Sequence, residues 1–178
     1  MAKHKQLNRK WVYKGSRIDF AVDTIQIEGI EKQLKREVIL HSKVAVIIPV
    51  LDDGRLILIK QFRYSTGKYF WEFPAGTCDG AERPLTCAKR ELIEETNFQA
   101  KHFKKIFDFY PTPGISTEQM FLYLATQLTP KKGVPDEDED IQVYCFKPST
   151  IESMIQNHKI KDAKTILAYS WLKLKKII

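Results

Sequence analysis

Val44 to Leu51 is almost wholly apolar. A run this short suits a strand buried on both faces. Such a strand has no solvent side, so the fold must cover both faces of its sheet. Asp52-Asp53-Gly54 follows as a turn signal, and Leu56 to Phe62 reads as the hairpin partner. Upstream, Ile18 to Ile27 alternates as a strand with a phase slip near Asp23. Glu28-Gly29 reads as a turn and Gln33 to His41 as the returning strand. Downstream, Pro84 to Thr96 is the clearest helix, with proline in its first turn and Asn97 placed for a left-handed cap. Phe103 to Tyr110 and Glu118 to Ala125 read as strands around a loop, Pro111-Thr112-Pro113-Gly114, because proline cannot donate to a ladder. Pro130 to Asp140 is a polar loop, and Ile141 to Phe146 alternates as a last strand. Ser149-Thr150-Ile151-Glu152 fits a capping box opening a helix, and Asp162 caps another from Ala163 to about Leu174. The order of strands, helix, strands and helices predicts an α/β (α+β) fold with a mixed sheet covered by helices.

At 178 residues the chain fits one domain with at most a small appendage. It is long enough to bury roughly 70% of its unfolded surface without a disulfide or structural metal. Its hydrophobic share of 43% and charged share of 29% exclude disorder, collagen and coiled coil as readings of the whole. Cys78, Cys87 and Cys145 form no CxxC, which argues against a disulfide scaffold and a zinc finger. Cys87 sits within the helix, and nothing around it in sequence points to a reactive role. Met1 to Arg9 is basic and polar with no apolar core behind it, so no signal peptide is expected. No run of about 18 apolar residues predicts a membrane span, and cytoplasm is the expected location. The net charge of +7 serves solubility or an anionic partner. Lysines crowd both ends while Asp136 to Asp140 is acidic, which argues against a continuous basic face for nucleic acid.

The informative stretch is Gly76 to Phe98. Glu91 and Glu95 are four apart and share a helix face, with Glu94 beside them; Leu85, Ala88 and Leu92 form the neighbouring, sheet-facing side. Three carboxylates so placed repel one another by a few tenths of a kcal/mol per exposed pair. An Mg²⁺ or Mn²⁺ ion would remove that repulsion. Arg90 reaches Glu94 along the helix or Glu82 from the preceding loop. Spacing alone leaves a metal site and a plain solvated acidic face both open.

Gly76, Glu82 and Arg90-Glu91-Leu92-x-Glu94-Glu95 resemble the Nudix box, whose second glycine is Asn97 here. Gln61-Phe62-Arg63, Trp71 to Gly76, and Tyr110 to Glu118 with Pro113 sixteen residues after Asn97 further resemble the ADP-ribose pyrophosphatase subfamily. The resemblance runs from about Trp11 to Leu174 and includes Asp162-Ala163-Lys164-Thr165. It implies a Nudix fold over 43–178 and an N-terminal antiparallel strand segment, 1–42, that serves a homodimer.

The resemblance also implies roles. Glu91, Glu95 and the Ala75 carbonyl would hold Mg²⁺, or Mn²⁺ in its place, with Glu94 joining them or orienting water. Gly76 and Glu82 would support them, and Arg90 would serve catalysis. Arg63 and Gly114 would meet substrate, and Glu118 lies where some members place the general base. The implied reaction is hydrolysis of ADP-ribose to AMP and ribose 5-phosphate. Its rivals are another nucleoside diphosphate sugar such as GDP-mannose or a dinucleotide, an inactive nucleotide sensor, and, from the net charge of +7, a nucleic-acid binder or RNA pyrophosphohydrolase, the weakest.

Overall fold

Three antiparallel strands occupy the first forty residues: β1 (His4–Lys14), β2 (Ile18–Ile27) and β3 (Leu34–His41), in that spatial order. The computed structural model describes residues 1–134 and 140–178, so most of the acidic run Asp136 to Asp140 lies outside the described residues. Two compact units emerge, 1–43 with 110–119 and 44–109 with 120–178. In the first, β2 and β3 pair without interruption from Ile18↔His41 to Ile25↔Leu34. The irregularity expected within β2 lies instead between β1 and β2, where register shifts fall at Gln6/Asn8 and Trp11/Tyr13. β1 has no counterpart in the sequence reading because nearly all of it is exposed, leaving no buried face to impose a period of two. Segment 110–119 docks on β3: the Ile39 N–H donates to the Ile115 carbonyl at 2.8 Å and the Thr117 N–H to the Ile39 carbonyl at 2.9 Å.

The second unit contains β4 (Val44–Pro49), β5 (Leu56–Arg63), β6 (Lys68–Glu72), β7 (Ala75–Thr77), α1 (Pro84–Thr96), β8 (Phe98–Phe109), β9 (Met120–Pro130), β10 (Ile141–Phe146), α2 (Pro148–Gln156) and α3 (Ala163–Leu174). One sheet has the order β7-β4-β9-β8 and is mixed, because β4 runs parallel to β9 and antiparallel to β7. The other is antiparallel, β10-β5-β6.

β4 is buried along its whole length, as its composition requires. Its alternate residues feed two cores. Val44, Val46 and Ile48 pack with Leu122, Ile151, Ala168 and Leu172, the side carrying α2 and α3. Ala45 and Ile47 pack with Cys87, Ala88, Leu92 and Tyr123, the side carrying α1. Burying a side chain such as Ile47 or Leu92 contributes about 1.5–3 kcal/mol, so the two cores fix α1 against the sheet.

Three local expectations are corrected. β5 is not the ladder partner of β4: after the Asp52-Asp53-Gly54 turn only the bridge Val50↔Leu56 forms, and β5 continues between β10 and β6. Residues 56–59 are all fully buried, so both faces find partners without β4. In α1, Leu85 is exposed and Cys87 takes its place in the core, because Leu85 falls in the first turn, before the helix meets the sheet. In α2 the N-cap is Lys147 with no side-chain cap, since the helix starts two residues earlier than the capping box implies, with Pro148 at its first turn. Asp162 caps α3 as expected, accepting the Thr165 N–H at 2.9 Å. Among the described residues, no helix is long and apolar enough to cross a membrane.

Candidate active site

The carboxylates lie in the second unit, where α1 crosses β7. Pro84 occupies the helix's first turn, and Asn97 ends it at φ 59° with its N–H on the Ile93 carbonyl at 3.0 Å. Between them Cys87, Ala88 and Leu92 face the core. Glu91 and Glu95 are carried down to the same depth, only 7% and 3% exposed, while Glu94 is half-buried.

β7 runs directly beside this face. The Ala75 N–H donates to Glu95 Oε2 at 2.9 Å. At Gly76 a side chain would displace a site residue: a Cβ would overlap the Glu91 carboxyl group where it now stands. That close approach explains the glycine without any special backbone angle. Ala75 itself pairs with Val46 on β4, so its position is set by the sheet.

Arg90 ties the remaining carboxylates together. Nη1 contacts Glu94 Oε2 at 2.8 Å and Glu91 Oε1 at 2.7 Å. Nη2 reaches Glu82 Oε2 at 3.1 Å and donates to the Thr77 carbonyl at 3.2 Å. Hydrogen bonding from Arg90 holds the Glu82 carboxyl below the usual range. Burial opposes the charge on Arg90, but its hydrogen bonds to Glu82 and Glu94 and the charge of Glu91 outweigh that, and its pKa is raised. Burial pushes the Cys87 thiol well up.

A second network stands at the end of β5. Arg63 grips Glu72 through two bonds, Nε to Oε1 at 2.9 Å and Nη2 to Oε2 at 2.6 Å. Lys164 bonds the same Glu72 carboxylate and also reaches Asp162 Oδ1 at 3.0 Å. Burial would raise the Glu72 carboxyl, yet the Arg63 bond and the Lys164 charge prevail and hold it below its ordinary value. Arg63 is more than a surface residue: burial disfavours its charge, but the Glu72 bond and the negative charges of Glu72 and Glu95 outweigh that and raise its pKa. The run from Glu72 to Gly76 is therefore pinned from several directions. The Phe73 N–H donates to Thr165 Oγ1 at 2.8 Å, the Ile47 N–H to the Pro74 carbonyl at 2.9 Å, and the Ala75 N–H to Glu95.

Local spacing does not single out Glu72, Lys164 or Thr165, and it marks Asp162 only as a helix cap. Their signal was present in two short runs, Trp71 to Gly76 and Asp162 to Thr165, which are far apart along the chain. Gly114 and Glu118 lie in the first unit, within 110–119, where the Glu118 N–H donates to Ser116 Oγ at 3.1 Å.

The donor set at α1 is made of oxygens, from Glu91, Glu94 and Glu95, next to a glycine that leaves the Glu91 carboxyl its space. Hard divalent cations take such ligands, so these residues fit one. A carboxylate-bearing helix packed against a mixed sheet is the class defined by fold and site. The NUDIX domain family model matches residues 41–169, and the chain belongs to that family, whose members generally use a divalent metal ion. The chain is 32% identical to the ADP-ribose pyrophosphatase of Bacillus subtilis (strain 168) over 98% of its own length and 95% of that protein. It is 33% identical to the GDP-mannose pyrophosphatase of Shigella dysenteriae serotype 1 (strain Sd197), over 88% of this chain and 86% of that one. A crystal structure of an ADP compounds hydrolase shares the fold at a TM-score of 0.82 and 23% identity, covering 99% of this chain and 97% of that one.

Proposed function

We propose that this chain is an Mg²⁺-dependent hydrolase that adds water across the pyrophosphate of ADP-ribose, giving AMP and ribose 5-phosphate. The observation that carries this reading is the convergence of the buried Glu91 and Glu95 on Ala75-Gly76. The near full-length similarity to an ADP-ribose pyrophosphatase supports the substrate.

Glu91, Glu95 and the Ala75 carbonyl would hold Mg²⁺, with Glu94 at their side and Mn²⁺ as a substitute. The bound ion supplies charge neutralisation at the phosphate oxygens and a more acidic bound water. The chain's own residues do the rest. Arg90 keeps the mutually repelling Glu91 and Glu94 in fixed orientations and is itself held by Glu82 and the Thr77 carbonyl. Arg63 presents a guanidinium to a substrate phosphate, locked by Glu72 so that little rotamer freedom is lost on binding. Glu94 accepts the proton of the attacking water, with Glu118 the alternative that the resemblance offers; Gly114 is the further substrate contact it implies. The enzyme acts as a cytoplasmic homodimer through residues 1–42. β1 favours this, since Trp11, Val12 and Tyr13 are exposed on it.

A second reading, hydrolysis of GDP-mannose, is favoured by the similarity to a GDP-mannose pyrophosphatase. Purified protein would be incubated with Mg²⁺ and ADP-ribose, GDP-mannose, ADP-glucose, NADH or capped RNA, and products separated by chromatography. AMP formed fastest from ADP-ribose, and abolished by EDTA and by Glu95→Gln, is the expected result. Preference for GDP-mannose would replace the substrate and keep the site. Undiminished turnover in Glu95→Gln would overturn the assignment of the metal ligands.

A further inference from the structure

Behind the carboxylate face, where the loop after β7 enters α1, lie groups of different chemistry. Cys78, Glu82 and Cys87 bring two thiol sulfurs and a carboxylate oxygen within 4.8 Å of one another. Both cysteines are buried thiols. The Gly76 carbonyl oxygen stands 3.4 Å from Cys87 Sγ, a fourth donor at the same spot. Around a tetrahedral zinc, sulfur and oxygen ligands lie roughly 3.4–3.8 Å apart, so the group needs to contract by about 1 Å or less. The loop between the cysteines can supply this movement. Gly80 takes a left-handed turn there at φ 47°, and Asp79 and Gly80 are exposed.

We infer that Cys78, Cys87 and Glu82 form a second cation site, for one thiophilic divalent ion of the zinc or cadmium type. It is distinct from the all-oxygen site of Glu91 and Glu95. Thiolates select such ions, whereas Mg²⁺ prefers oxygen. Each thiol releases its proton to solvent on binding. Occupancy recruits Glu82, which otherwise holds Arg90 at 3.1 Å, and so loosens the clamp on Glu91 and Glu94. Filling the site therefore slows turnover, a consequence that rests on the function proposed above; binding itself does not.

The test is a titration of the reduced full-length protein with Cd²⁺ under excess Mg²⁺, followed by sulfur-to-cadmium charge-transfer absorption. One equivalent should develop the band, and Zn²⁺ should displace it. The band should vanish in Cys78→Ser and Cys87→Ser and persist in Cys145→Ser and Glu91→Gln. Circular dichroism confirms that each variant is folded. Should Cys87→Ser not fold, Cys78→Ser and the zinc displacement still decide. No band in the parent protein, a band that survives Cys78→Ser, or one lost only with Cys145→Ser would each overturn the site. A cadmium band with ADP-ribose left untouched under all conditions would overturn the proposed function and leave the site standing.

Discussion

Replacing Gly76 by alanine separates what the site needs from what the fold needs. The backbone at Gly76 lies outside the left-handed region, so alanine meets no strain there. The added methyl carbon meets the Glu91 carboxyl group, nearer than the 3.0 Å that real Cβ atoms keep. That carboxyl is the far end of a flexible side chain, so it yields rather than the sheet. Driving it off its rotamer costs about 0.5–1.5 kcal/mol, or about 1–6 °C in melting temperature for a chain of this size. Activity should suffer far more. A shift of about 1 Å exceeds the roughly ±0.2 Å a metal ligand tolerates, and misplacement on that scale costs on the order of 100-fold in rate. Differential scanning fluorimetry and AMP release from ADP-ribose, measured on one preparation, give both numbers. Turnover equal to the parent's would refute the claim that Glu91 must occupy the space beside Gly76. A melting point lowered far beyond that range would show that Gly76 serves the fold instead.

Lys164→Met should lower stability by about 2–3 kcal/mol, less than the 3–5 for stripping a buried charge of its sole partner, because Arg63 stays on Glu72; thermal denaturation should show a fall of about 4–12 °C, partly restored in Lys164→Arg. Glu72 and Glu82 titrate below their ordinary value of 4.5 in the folded chain. The unfolded chain therefore binds more protons just below that pH, so stability should hold from neutrality to about pH 5 and fall as the pH drops further; Glu72→Gln should flatten that acid limb in melting curves across pH. Asn97→Ala should destabilise by about 1–2 kcal/mol through its left-handed backbone and the lost side-chain bond, whereas in Asn97→Gly the relaxed backbone offsets the bond and chemical denaturation should find a change under about 1 kcal/mol.

The strongest sequence signals were those where one physical constraint acts alone. α1 spans Pro84 to Thr96 as read, because a helix-compatible proline and a left-handed asparagine bracket a single amphipathic run. β4 was visible because burial on both faces leaves a continuous apolar stretch. β1 was invisible for the opposite reason: it gains its place by pairing with β2, not by burial. β6 and β7 escaped notice because they are short and interrupted by Phe73-Pro74. The pairing of β5 with β10, some eighty residues away, depends on a crossover that no local pattern encodes. In the site, helical periodicity placed Glu91, Glu94 and Glu95 on one flank. The partnership of Glu72 with Lys164 joins residues 92 apart, which short-range spacing does not reach.

The end of α1 carries one more lesson. The Asn97 side chain accepts the Gly133 N–H at 2.9 Å, and its carbonyl accepts the Lys131 N–H at 2.9 Å. Gly133 sits so near the Ile93 carbonyl and Glu94 that a Cβ there would collide with helix backbone. Asn97 takes the left-handed cap itself, and the need for a glycine arises instead at position 133, where the chain presses on the helix end. The two sites are bound as a mutational pair: asparagine draws the strand end in, and the strand end can follow only while position 133 lacks a side chain. A substitution library would find position 133 intolerant although it lies far from the box in sequence, and pairing it with Asn97→Gly would recover part of the loss.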